Sequence, residues 1–161
     1  MKTFWSLGLV FLLFACGQPP QQQDPVETQS QAEVVKPIFH ASHEPRKKDA
    51  PYSDAVQVGN LFFLAGQVGI DGETRALVPG GIQAETKQVL ENIKSVLEQH
   101  QMTLADVVKA TVILEDINDF QAFNEVYTSY LPQKPARTTF AAAGLAANAA
   151  IEIEVVAVSS E

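Results

Sequence analysis

The sequence predicts an α+β domain: a single mixed sheet with two helices on one face. Three observations carry that prediction. Alternating or β-branched runs mark strands at 55–65, 107–114, 137–142 and 151–158. Two longer stretches, 82–98 and 118–131, repeat their apolar residues at helical spacing instead. The connections are short and give the order ββαβαββ, which packs helices against one sheet.

The elements follow in turn. Ala55-Val56-Gln57-Val58 and Leu61 to Ala65 read as strands joined by a tight turn at Gly59-Asn60. Asp71-Gly72 and Pro79-Gly80-Gly81 mark further turns. In the first helix Ile82, Val89, Leu90, Ile93, Val96 and Leu97 share a face, and Gln83, Lys87, Glu91, Lys94 and Glu98 share the other. Lys87/Glu91 and Glu91/Lys94 are spaced to pair. VVKATVIL, from Val107 to Leu114, is β-rich. Asn118 is placed to cap the second helix, with Gln121 three residues on. Phe120, Phe123, Tyr127, Tyr130 and Leu131 form its apolar stripe, and Pro132 and Pro135 end it. Arg137 to Ala142 and Ile151 to Val158 supply the last two strands.

This pattern occupies residues 38–161, and what precedes it reads differently. Lys2 is followed by an apolar run from Phe4 to Ala15. A run of about a dozen residues falls short of the roughly 20 that cross a bilayer and has signal-peptide proportions. It ends in Leu13-Phe14-Ala15-Cys16-Gly17, which resembles a bacterial lipobox. Residues 1–16 are therefore expected to be a lipoprotein signal peptide, with Cys16 the lipidated residue and the membrane reached through that N-terminal anchor. Gly17 after the cysteine resembles an outer-membrane sorting signal, which places the chain at the periplasmic face of a Gram-negative outer membrane. Residues 17–37 are rich in Gln, Pro, Glu and Ser and read as a disordered tether.

Charge and composition exclude several kinds of chemistry. The 161 residues carry a net charge of −8, and such a chain repels a phosphate backbone, so no nucleic-acid partner is expected. The basic run Arg46-Lys47-Lys48 reads as a solvated cluster. Cys16 is the single cysteine, so no disulfide forms within the chain. His40 and His43 lack a third ligand nearby and read as surface histidines. Beyond residue 50 the one histidine is His100, at the end of the long helix, where it suits the helix dipole. Histidine triads, a P-loop and a dinucleotide fingerprint are absent. The chemistry is left to Arg, Glu, Tyr, Asn, Gln and backbone groups, with no metal or cofactor expected.

Two charged positions stand out. Arg137 enters an apolar strand after Pro135-Ala136, and a guanidinium held there can grip a carboxylate by two parallel hydrogen bonds. Alternation in IEIEVVAV puts Glu152 and Glu154 on one face, where a carboxylate can orient a water. A surface ion pair and a solvated strand face would use the same residues.

An ordered set of motifs carries a resemblance. Pro51-Tyr52-Ser53, Ala65-Gly66-Gln67-Val68-Gly69-Ile70-Asp71, Val107 to Val112, Asp116 to Phe120, Asn124-Glu125-Val126-Tyr127, Pro135-Ala136-Arg137 and Ile151 to Glu154 occur in the order and spacing of the RidA/YjgF/UK114 family. The resemblance covers about residues 38 to 159 and implies a chorismate-mutase-like (YjgF-like) fold in a homotrimer with clefts between subunits. It implies hydrolysis of 2-imino acids and their enamine tautomers to 2-oxo acids and ammonia. Arg137 matches the arginine that holds the substrate carboxylate, and Glu152 the glutamate associated with the attacking water. Tyr52 and Asn124 match polar residues at the cleft, and Gly66 and Gln67 the family's Gly-Gln pair. Ala65 stands where the deaminases usually have Ser, Thr139 where many members have Cys, and AAAGLAANAA lacks the usual Leu-Pro-basic run. Those departures leave a second reading: a non-catalytic module that binds small carboxylates on the same scaffold in the cell envelope. A protein-interaction role with a vestigial cleft is a third.

Overall fold

The computed structural model describes residues 34–44 and 47–160. The signal peptide, Cys16 and the tether up to residue 33 lie outside the described residues. Among the described residues no helix is long and apolar enough to cross a membrane.

Eight elements follow in order: β1 (Ile38–His40), β2 (Ala55–Val58), β3 (Leu61–Val68), α1 (Gly81–Glu98), β4 (Val107–Leu114), α2 (Phe120–Tyr130), β5 (Ala136–Ala141) and β6 (Ile151–Val158). They form one six-stranded sheet in the order β1-β2-β3-β6-β4-β5. Every neighbouring pair is antiparallel except β4 and β5, which run parallel because α2 carries the chain back across the sheet. The expected architecture of one mixed sheet and two helices is present. The short edge strand β1 is an addition, too brief for its periodicity to register.

Alternation sets which strand residues meet the helices. Phe62, Leu64, Ala110, Val112, Leu114, Ile151, Ile153, Val155 and Ala157 are buried on that face. They meet Val89, Leu90, Ile93, Val96 and Leu97 of α1 and Phe123 and Tyr127 of α2. Each such aliphatic or aromatic side chain contributes about 1.5–3 kcal/mol by leaving water. The Tyr130 hydroxyl donates to Glu91 Oε1 at 2.8 Å and ties the helices together. Burial and that carboxylate push its pKa up to about 12.

Three local expectations are corrected. Asn118 does not cap α2. Asp116 accepts from the Asn118 backbone N–H at 2.9 Å and caps a single 3₁₀ turn, Ile117–Asp119, from which α2 continues. The 3₁₀ turn begins at Ile117, so Asp116 holds the N-cap position and Asn118 supplies a free N–H to it. His100 lies past the end of α1, its ring packed at a tilt against those of His40 (4.4 Å between centroids) and Phe62 (5.1 Å). Burial, with His40 beside it, lowers its pKa, the opposite of what a dipole partner would show. His40 is stacked on Phe62 and bonded to Gln57 and so is no free surface residue.

The β2–β3 turn has Gly59 at φ 61°, the left-handed geometry a glycine at the first turn position accommodates. Strand β3 runs three residues beyond its expected end at Ala65, because a bulge lies in it. Leu64 pairs with Val155 but Gln67 pairs with Ile153, so β3 holds one extra residue.

Candidate active site

The bulge decides where the Ala65-Gly66-Gln67 motif points. Gln67, only 6% exposed, turns to the inside, and its amide donates to the Ala65 carbonyl at 3.2 Å. Gly66 lies against Glu152 of β6. A Cβ built on Gly66 would overlap the Glu152 carboxylate and stand 3.0 Å from its Cδ. The glycine is required by this close approach of a carboxylate to backbone. Tyr52, Gly66 and Gln67 line one cleft together with Ile70 and, from α1, Asn92, a recess of about 80 Å³. Asn92 fixes the wall: its amide donates to the carbonyls of Val68 (3.1 Å) and Ile70 (2.9 Å).

Arg137 sits on the edge strand β5, on the helix side of the sheet. Its Nη1 donates to Asn124 Oδ1 at 2.8 Å. Its guanidinium carbon lies 4.7 Å from the Tyr127 ring centroid, 5.0 Å from that of Phe123 and 5.7 Å from that of Phe120. Phe120, Phe123, Asn124 and Tyr127 share one face of α2, so a single helix builds an aromatic box with one polar contact. Cation–π attraction and a fixed acceptor hold a planar donor fork in one orientation. Burial pushes the Tyr127 hydroxyl's pKa up, and the Arg137 charge partly opposes it.

The two groups project from opposite faces. Ala110 pairs with Arg137 and with Val155, and Ala110 and Val155 both lie beneath the helices. Glu152 pairs with Ile113, an odd number of positions along β4, and so faces away from them. One chain therefore brings Tyr52, Gly66 and Gln67 into a cleft, sets Ala65 and Glu152 beside it, and keeps Arg137 with Asn124 apart. The resemblance implies clefts between subunits, so these residues need not meet within one chain.

The family model described as endoribonuclease L-PSP matches residues 41–159. The chain belongs to this family, the RidA/YjgF family. A RutC family protein of Pyrococcus abyssi is 48% identical over 125 residues, 77% of this chain and 98% of that protein. The 2-iminobutanoate/2-iminopropanoate deaminase of Capra hircus is 45% identical over 109 residues, 67% of this chain and 80% of its own. The crystal structure of the YjgF gene product of E. coli superposes with a TM-score of 0.69 at 31% identity, covering 75% of this chain and 98% of that one.

Two supports of this RidA/YjgF site escaped sequence reading. In the sequence the box around Arg137 reads as an apolar helix stripe, because aromatic residues at helical spacing serve either purpose. Glu85, buried in α1, accepts from the backbone N–H of Ala150 at 2.8 Å and fixes the start of β6, two residues before Glu152. Only its place among apolar neighbours in the helical repeat could have signalled it. The preceding turn holds Ala147 and Asn148 at φ 57° and 58°. A left-handed alanine costs about 1–2 kcal/mol, so this anchor works against local strain. Among the described residues no three His, Cys, Asp or Glu side chains converge as metal ligands.

Proposed function

We propose that the chain is a hydrolytic deaminase that converts 2-imino acids and their enamine tautomers to 2-oxo acids and ammonia, at a site completed between copies in a homotrimer. The observation that carries this reading is the pair of preorganised groups: Arg137 boxed on β5 and Glu152 seated over Gly66 in the bulge. Their opposite facing fits a cleft to which one copy gives the arginine and the next the glutamate. The outer sheet face also exposes Leu61, Phe63 and Phe140, an apolar surface suited to a second copy. The goat relative's name supports the substrate class.

The chemistry needs little more. The iminium carbon is already electrophilic, so orientation and a placed water do most of the work. Arg137 takes the substrate carboxylate through paired hydrogen bonds. Glu152 accepts a proton from water as its oxygen bonds to the iminium carbon. Glu152 passes that proton to the amino nitrogen of the carbinolamine, the C–N bond breaks, and ammonia leaves as the carbonyl forms and the hydroxyl proton returns to Glu152 or to the ammonia.

The direct test is hydrolysis of 2-iminopropanoate and 2-iminobutanoate, generated in place by an amino-acid oxidase or threonine dehydratase. Acceleration of ketoacid release is expected, and a well-folded oligomer without acceleration would overturn the reading. Ala65 favours the second reading, a carboxylate-binding module without turnover, because a hydroxyl donor is missing from the motif. Restoring it by Ala65→Ser is expected to raise kcat by about tenfold, since one hydrogen bond to a charged group contributes about 1.5–3 kcal/mol. A binding module would show no turnover in either form.

The lipobox-like segment supports a lipoprotein of the cell envelope anchored through Cys16. Cys16→Ser is expected to leave the protein unprocessed or released from the membrane fraction. Equal retention and processing would count against lipidation.

A further inference from the structure

The cleft lined by Tyr52, Gly66 and Gln67 also holds two cations from separate loops. Lys47 precedes Tyr52 on the approach to β2, and Arg75 lies in the turn after β3. Both grip Glu44: Lys47 Nζ is 2.8 Å from Oε1, and Arg75 Nη1 is 3.1 Å from Oε2. Lys47 is thus not the solvated charge its basic run suggested, and its side chain is only 15% exposed.

The turn that delivers Arg75 is tightly fixed. Asp71 Oδ1 accepts from the Glu73 N–H (3.1 Å), the Thr74 N–H (2.7 Å) and the Thr74 hydroxyl (2.8 Å). The Asp71 carbonyl accepts from the Arg75 N–H at 2.9 Å. Arg75 itself takes φ 61°. Thr74's bonds also hold the Asp71 carboxyl below its usual pKa. An arginine in left-handed backbone on a bonded turn has its stem direction set before any ligand arrives.

Among the residues that line the cleft, two cations face one carboxylate, while Asp71 in the adjoining turn is occupied by hydrogen bonds from Glu73 and Thr74. Glu44 already shows how that pair receives a carboxylate in the cleft. We propose that Lys47 and Arg75 form a second carboxylate subsite, so that this protein takes 2-imino and 2-oxo acids bearing a further acid group on the side chain. The ligand's distal carboxylate replaces that of Glu44, which swings to water. One carboxylate for another preserves the ion-pair attraction, and a partly exposed Glu44 regains its hydration on leaving. The inference rests on the deaminase reading for the rest of the ligand.

The test is calorimetric titration of the full chain in detergent with 2-oxoglutarate and with 2-oxobutanoate, product analogues with and without the second carboxylate. Wild type is expected to bind 2-oxoglutarate at least tenfold more tightly. Arg75→Ala and Lys47→Ala should each weaken 2-oxoglutarate by about tenfold while moving 2-oxobutanoate by less than twofold, and Glu44→Gln should strengthen 2-oxoglutarate. Equal affinity for the two ligands, or equal losses in the variants, overturns the subsite and leaves the deaminase reading intact. Binding of 2-oxoglutarate alone, lost in Arg75→Ala but not in Arg137→Ala, supports the subsite and counts against the deaminase reading. Failure of both ligands to bind overturns both.

Discussion

Arg137→Ala is expected to lower kcat/KM for 2-iminobutanoate by a hundredfold or more while the protein stays folded and oligomeric. The arginine's proposed task is to hold the substrate carboxylate by two charge-assisted hydrogen bonds, each contributing about 1.5–3 kcal/mol. Their joint loss spans roughly a hundredfold to ten-thousandfold in rate. Stability should change less, because Arg137 lies on edge strand β5 and the core residues beneath α2 are left in place. Arg137→Lys sharpens the test: it keeps a charge near Tyr127 but loses the planar fork, and it should recover only part of the rate. Steady-state kinetics beside a thermal melt separates the two effects, and unchanged turnover in Arg137→Ala would remove the residue from the mechanism.

Gly66→Ala should cost a similar factor through a different cause. The new methyl group would occupy the space of the Glu152 carboxylate. Either Glu152 rotates away or the bulge shifts, and a displacement of about 1 Å at a reacting group can cost on the order of a hundredfold. Gly144→Ala serves as the control, since a Cβ there meets nothing within 4 Å. The decisive comparison is a double-mutant cycle. In a Glu152→Ala background, Gly66→Ala should have little further effect on kcat, because its target is gone. A full rate in Gly66→Ala, or an equal loss in both backgrounds, would sever the link between the glycine and the glutamate.

Much of the fold is legible because single periodicities suffice for it. Ala55–Val58, Val107–Leu114 and Ile151–Val158 are strands over the ranges their patterns indicate, and the α1 apolar face is the face that is buried. The bulge is not legible. Ala65 and Gly66 have side chains too small to declare a face, so nothing marks the residue that breaks the alternation. The division of the site was hidden for a related reason. Period two says that Glu152 and Glu154 share a face, but only the pairing of β4 with both β5 and β6 relates that face to Arg137. Spacing along the chain identified the chemistry-bearing residues, and cross-strand register decided which could meet.

Strand β6 has a consequence for how the protein is made. It is the last of the described elements, yet it lies between β3 and β4 and joins β1–β3 to β4–β5. Until it arrives, the growing polypeptide has two sheet fragments with unpaired inner edges and half a core. Closure demands contacts between distant parts of the chain, which slows folding. Synthesis must therefore pass Ile151–Val158 before a cooperative native state exists, and a chain cut short before Ile151 would leave both fragments open to pairing with other molecules.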